Sequence, residues 1–139
     1  MRWPLTFVLV LTALPLWAAE WDVPARTGAI AETLTRAAPG DTLLLRPGTY
    51  FETVVLDKPV TLDGQGHATL DGGGHGSVVT VTEPDVVVQG LTIVGSGSDH
   101  ETIDSGVQLT AGATGAIVRN NVLLGNLYGV DIHGARDAR

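Results

Sequence analysis

The fold that this sequence predicts is all-β: a right-handed parallel β-helix, predicted by three observations. An apolar-alternating strand followed by a turn rich in Gly, Asp or Asn recurs along the chain. Leu56, Val81, Leu109 and Ile132 hold the same place in successive units, at steps of 25, 28 and 23 residues. One such unit has nothing to bury its apolar face against except a neighbour stacked on it, so this period means a solenoid. The 18 glycines, and a single lysine at Lys58, suit narrow coils better than helices.

The chain opens with Met1-Arg2, an apolar run from Leu5 to Leu14, and Pro15 ahead of Trp17-Ala18-Ala19-Glu20. This is the layout of a secretory signal peptide over residues 1–19, with cleavage after Ala18 or Ala19. A spanning helix needs about 20 apolar residues, more than this run supplies. The 139-residue chain carries 8 basic and 15 acidic side chains; removing Arg2 with the leader changes the net charge from −7 to −8. That acidity disfavours binding to phosphate backbones. There is no cysteine, which excludes a disulfide framework.

The segment 20–40 holds the expected capping helix, Thr27 to Ala38. Ile30, Leu34 and Ala37 form its apolar stripe, Thr27 is the expected N-cap, and Pro39-Gly40 the stop. Placed before a solenoid, the helix covers the open end of the first coil.

The coils follow over 41–139. Asp41 to Tyr50 opens the β region, with Leu43 and Leu45 able to point in and a turn at Pro47-Gly48. The expected strands are then Thr53–Leu56, Val60–Leu62, Ala68–Leu70, Val78–Thr82, Val86–Gln89, Leu91–Val94, Val107–Thr110, Ala116–Arg119, Val122–Leu124 and Val130–His133. Asp63-Gly64, Asp71-Gly72-Gly73-Gly74, Gly95-Ser96-Gly97 and Gly125-Asn126 mark the turns. Leu62 should align with Val88 and Val118, Leu70 with Ile93 and Leu123, and Pro59 with Pro84. No two-residue hairpin loop occurs, so the expectation is three short parallel sheets. A β-sandwich also uses regular short strands, but predicts no equal-register repeat. Asn120, Asn121 and Asn126 fall at turns, where asparagines of successive coils can stack. Between Val94 and Val107 an inserted loop, Gly95 to Gly106, leaves the coil, and such loops collect binding residues.

Gly40-Asp41-Thr42 through Pro47-Gly48-Thr49-Tyr50 resembles the first coil of secreted β-helix proteins of the pectin-lyase-like class. Asp57 to Gly64, Ala68 to Gly74, and Gly125 to Ala135 are more specifically similar to the NosD family, over residues 20 to 135. The resemblance implies a periplasmic β-helix that works with an ABC transporter and a copper chaperone in assembling the copper sites of nitrous-oxide reductase. Members of that family continue for many more coils. This chain is therefore expected to be an N-terminal fragment, truncated at its C-terminus just after a strand.

Copper takes imidazole or soft sulfur ligands. The chain offers His67, His75, His100 and His133, no Cys, and only the initiator Met1. Asp131 and His133, two apart on a strand, share an outer face and form one candidate pair. Asp99 and His100, with Glu101 and Asp104, form a second cluster in the inserted loop. Against each stands an ordinary solvated surface; His67 and His75 sit in glycine-rich turns and satisfy local backbone groups.

The rival class is a carbohydrate-active enzyme, a lyase, hydrolase or epimerase, which needs paired carboxylates or a base beside a cation. Asp63 and Asp71 stand at coil corners, but Asp before Gly in a turn is structural by default. A passive glycan-binding module is the third reading. The resemblance implies an accessory protein that is not an enzyme, with copper as the metal concerned.

Overall fold

The computed structural model describes residues 2–6, 8 and 17–139. The apolar core of the expected leader falls largely on residues outside that description. From Ala19 onward the chain winds as a parallel β-solenoid.

The elements are β1 (Glu20–Val23), α1 (Ala29–Arg36), β2 (Thr42–Leu45), β3 (Gly48–Phe51), β4 (Val54–Leu56), β5 (Thr61–Asp71), β6 (Val79–Val81), β7 (Val87–Val94), β8 (Ser105–Leu109), β9 (Ile117–Arg119), β10 (Val122–Leu124) and β11 (Tyr128–Ile132). Every strand pairing is parallel. The first expected row is realised residue for residue: Leu56 pairs with Val81, Val81 with Leu109, and Leu109 with Ile132. The rows Leu62–Val88–Val118 and Leu70–Ile93–Leu123 are likewise in register. Pro59 and Pro84 each follow that paired position by three residues. Beyond them the step grows by one, because Thr61 pairs with Val87. The extra residue falls at this corner, where Asp85 adopts φ 60°.

Two sheets are present rather than three. β4, β6, β8 and β11 form one of four strands, and the other seven strands form a single larger sheet. That sheet is bent rather than split: a register shift between Asp63 and Ala68 divides β5. Its two halves supply two of the three expected faces. The bend needs glycine for space, since a Cβ on Gly64 would stand 2.4 Å from the Gly90 carbonyl oxygen.

Side chains alternate across each strand, and the inward set fills the axis. Leu43, Leu45, Leu56, Leu62, Leu70, Val81, Val88 and Ile93 are fully buried. Tyr50 is also fully buried, its hydroxyl 2.8 Å from the Val23 carbonyl oxygen and 2.9 Å from that of Arg46. Burial of this order contributes roughly 1.5–3 kcal/mol per large side chain.

The N-terminal end differs from expectation in two ways. β1, within the 20–40 segment for which only the helix was expected, pairs with β2 and begins the solenoid. The helix is shorter than expected, and its N-cap is Gly28 (φ 79°), with no side-chain cap from Thr27. Carboxylate oxygens of Glu52, from the turn between β3 and β4, instead accept the amides of Ile30 and Ala31 at 3.2 and 3.3 Å. At the other end the Lys58 ammonium donates to the Leu34 and Ala37 carbonyls at 2.6 and 2.8 Å. The expected stripe of Ile30, Leu34 and Ala37 is buried in the core, and α1 packs on β1 and β4.

Candidate functional site: the outer faces of the coil stack

The outward positions form rows as regular as the inward ones. On the face of β3, the second half of β5, the second half of β7, and β10, one row is Thr49, Thr69, Thr92, Val122. Its companion is Phe51, Asp71, Val94, Leu124. Phe51, Val122 and Leu124 are exposed. Asp71 is the one charge among these positions, and its Oδ1 accepts the Gly73 amide at 2.8 Å. An acidic chain therefore presents one flat strip almost free of charge.

Around the bend the outward row is polar. Asp63, Gln89 and Arg119 are in register. Arg119 Nε donates to Gln89 Oε1, and Gln89 Nε2 to Asp63 Oδ2, each at 2.9 Å. They line a shallow groove of about 450 Å³ with Gln65 and Asn120. Asp63 Oδ1 accepts the Gln65 amide at 2.7 Å, so Asp63, like Asp71, shapes its own turn. A second groove, of about 340 Å³, runs between α1 and β4, past Leu34, Val55 and Lys58.

The third face carries Val55, Thr80, Gln108 and Asp131 in register. Because Ile132 aligns with the buried Leu109, Asp131 and His133 both fall on the outward alternation. Gln108 Nε2 reaches Asp131 Oδ2 at 3.5 Å, and the His133 amide donates to the Leu109 carbonyl at 2.8 Å. In the inserted loop, His100 Nδ1 lies 3.0 Å from the Tyr128 hydroxyl, and the rings meet edge to face at 5.9 Å. Asp99 Oδ1 accepts the Glu101 amide. Asp104 is 6% exposed; its oxygens accept the Asp99 amide at 3.0 Å and the Thr102 hydroxyl at 2.8 Å. This carboxylate ties the loop together rather than joining a solvated cluster. Among the described residues, no three His, Cys, Asp or Glu side chains converge in a way that would hold a metal ion.

Asn121 and Asn126 lie at turns as expected, but bridge to the preceding coil. Asn121 accepts the Leu91 amide and donates to the Val88 carbonyl, at 3.0 and 2.9 Å. Asn126 does the same with Ser96 and Ile93, at 3.1 and 2.9 Å. Sequence reasoning missed the outward rows and the Glu52, Lys58 and Asp41 contacts. The rows were readable from the same registers that gave the core, but the three contacts join residues 20 or more apart.

The architecture is that of a parallel β-solenoid with one short helix over its first coil. The comparisons place it more closely. A protein described as probable ABC transporter binding protein NosD, from Pseudomonas aeruginosa strain PAO1, is 36% identical over 105 residues, covering 68% of this chain and 24% of that protein. The protein of the same description from Stutzerimonas stutzeri is 33% identical over 95 residues, covering 68% of this chain and 22% of its own length. A third so described, from Pseudomonas aeruginosa, is 33% identical over 104 residues, covering 74% of this chain and 94% of its own length. The chain belongs to the NosD family. It spans about a quarter of the length of the first two relatives. No family model and no solved structure matches.

Proposed function

We propose that this chain forms the first coils of an exported, periplasmic accessory protein for nitrous-oxide reductase maturation. In this reading it is not an enzyme: it docks an ABC transporter, a copper chaperone and the apo-reductase so that copper passes between them as cargo. The observation that carries the reading is the 33–36% identity to proteins described as ABC transporter binding proteins. The nearly uncharged strip of Thr49, Thr69, Thr92 and Val122 supports docking, because interface cores are depleted of charge. Asp63 and Asp71, the carboxylates an enzyme reading would use, each hold a turn amide.

Copper held by the chain itself is the lesser part of the proposal. Asp131 and His133 are its donors, and two donors make a weak site. Asp99 and His100 are engaged with Glu101 and Tyr128.

The test is a chimera. The first coils of a full-length relative are replaced by residues 19–139 of this chain, behind that relative's own leader, in a strain lacking its own copy. The copper content of the purified reductase should be restored. Copper-free reductase beside a folded, exported chimera would sink the reading.

A further inference from the structure

Asp41 is the best-connected carboxylate among the described residues. It is 4% exposed and accepts three hydrogen bonds, all at 2.8 Å: from the Ala19 amide on Oδ1, and from the Trp21 indole and the Ala38 amide on Oδ2. The Ala19 carbonyl in turn accepts the Thr42 amide at 2.9 Å. The Ala19 carbonyl thus joins the ladder that starts the solenoid and its amide is anchored on Asp41, whereas Trp17 and Ala18 make no such contact among the described residues.

We propose that the leader is cut between Ala18 and Ala19, and that the α-ammonium released on Ala19 becomes the charged partner of Asp41. The proposal rests on the export reading above. Cutting there keeps the donor to Oδ1 in place and turns a neutral amide into a cation, which makes the hydrogen bond charge-assisted. Cutting after Ala19 deletes the donor to Asp41 and the acceptor for Thr42 together. The position three residues before the cut, where small residues are favoured, holds a large side chain in either case, Leu16 or Trp17, so the contacts of Ala19 decide between the two sites.

The contact gives the mature protein a pH signature. The facing charges are the Asp41 carboxylate itself, Lys58, which acts on Asp41 from the β4–β5 turn, the neighbouring Glu20, and Arg36 of α1, stacked 5.4 Å over the Trp21 ring. An α-amino group ordinarily titrates near pH ~7.7–8.0. A carboxylate partner raises that value in the folded state only. The added stability is then complete below about pH 8 and is lost as pH rises through the raised value.

The experiment is export of the full chain in a Gram-negative host, followed by N-terminal sequencing and intact mass of the periplasmic product. A product beginning at Ala19 is expected; one beginning at Glu20, or at any other residue, overturns the proposal. A chain retained whole, with Met1, overturns the export reading as well, so the two failures are distinguishable. A second measurement tests the contact itself. The thermal midpoint of the Ala19 product should fall between about pH 7 and 9.5, and Asp41→Asn or N-terminal acetylation should flatten that fall. An unchanged slope in both overturns the ammonium–carboxylate contact.

Discussion

The ammonium of Lys58 donates to the carbonyl of Leu34 across 2.6 Å, linking the turn after β4 to the last turn of α1. An isolated eight-residue helix is marginal in water. Here the first coil grips it at both ends: the Glu52 carboxylate meets its free amides and Lys58 meets its free carbonyls. Each charge also opposes the helix dipole at its own terminus.

Lys58→Met should therefore cost about 1–2 kcal/mol, and Glu52→Gln about 0.5–1 kcal/mol. Urea unfolding of each variant measures both. A Lys58→Met chain as stable as the parent would show that α1 is held by its apolar stripe alone.

Asp41 makes the fold acid-sensitive. The Trp21 indole, the Ala38 amide and the Ala19 amide hold its carboxyl below the ordinary 3.8, against the opposing effect of burial. A depressed folded value contributes stability that is present above pH 3.8 and lost as pH falls through the lower folded value. Thermal melts from about pH 5 down to about pH 2 should show the parent and Asp41→Asn converging as acidity rises. Parallel curves would contradict the assignment.

Two glycines separate backbone strain from lack of space. Gly73 has φ 67° and open space where a Cβ would sit, whereas a Cβ at Gly112 would stand 2.1 Å from the Thr82 carbonyl oxygen. Gly73→Ala should cost about 1 kcal/mol. Gly112→Ala must move a backbone of the neighbouring coil and should cost more, about 2–3 kcal/mol. Chemical denaturation of the pair decides the order.

The uncharged strip is a surface rather than a core. Thr69→Lys with Thr92→Lys should leave stability within about 0.5 kcal/mol, yet weaken capture of partner proteins by the chimera at least about tenfold. Loss of binding only together with loss of fold would remove the strip from consideration.

Calorimetric titration with Cu(I) and with Cu(II) should give at most weak binding, tens of micromolar or poorer on the order expected for two donors. His133→Ala should abolish whatever Cu(II) heat appears. Submicromolar binding that survives His133→Ala would place the metal elsewhere.

The inward rows were legible because a period-2 alternation repeated at coil length leaves one register that turns most of the aliphatic side chains to the axis. Leu56, Val81, Leu109 and Ile132 needed no other information. The one-residue change of step is contained in the aligned pairs Pro59–Pro84 and Leu62–Val88, 25 and 26 residues apart; its place at Asp85, with φ 60°, was not legible. Nor was the Gly28 cap: Thr27 is a good local cap, but Glu52, arriving from the first coil, satisfies the helix amides instead. The same limit hid Asp41, whose donors come from β1 and the end of α1, and it misjudged Asp104, whose role depends on the loop closing around it.

At the N-terminal end of the stack α1 packs on β1 and β4 and covers the first coil. Order of synthesis then matters. Whether from ribosome or translocon, the covered end emerges first, and each later coil meets an aligned template made by the one before it. Pairing partners lie only 23 to 28 residues apart along the Leu56 row, so a coil can settle once a short further length has emerged. Such a chain folds like a zip closing from its stop, and a register error in an early coil would be copied into all that follow.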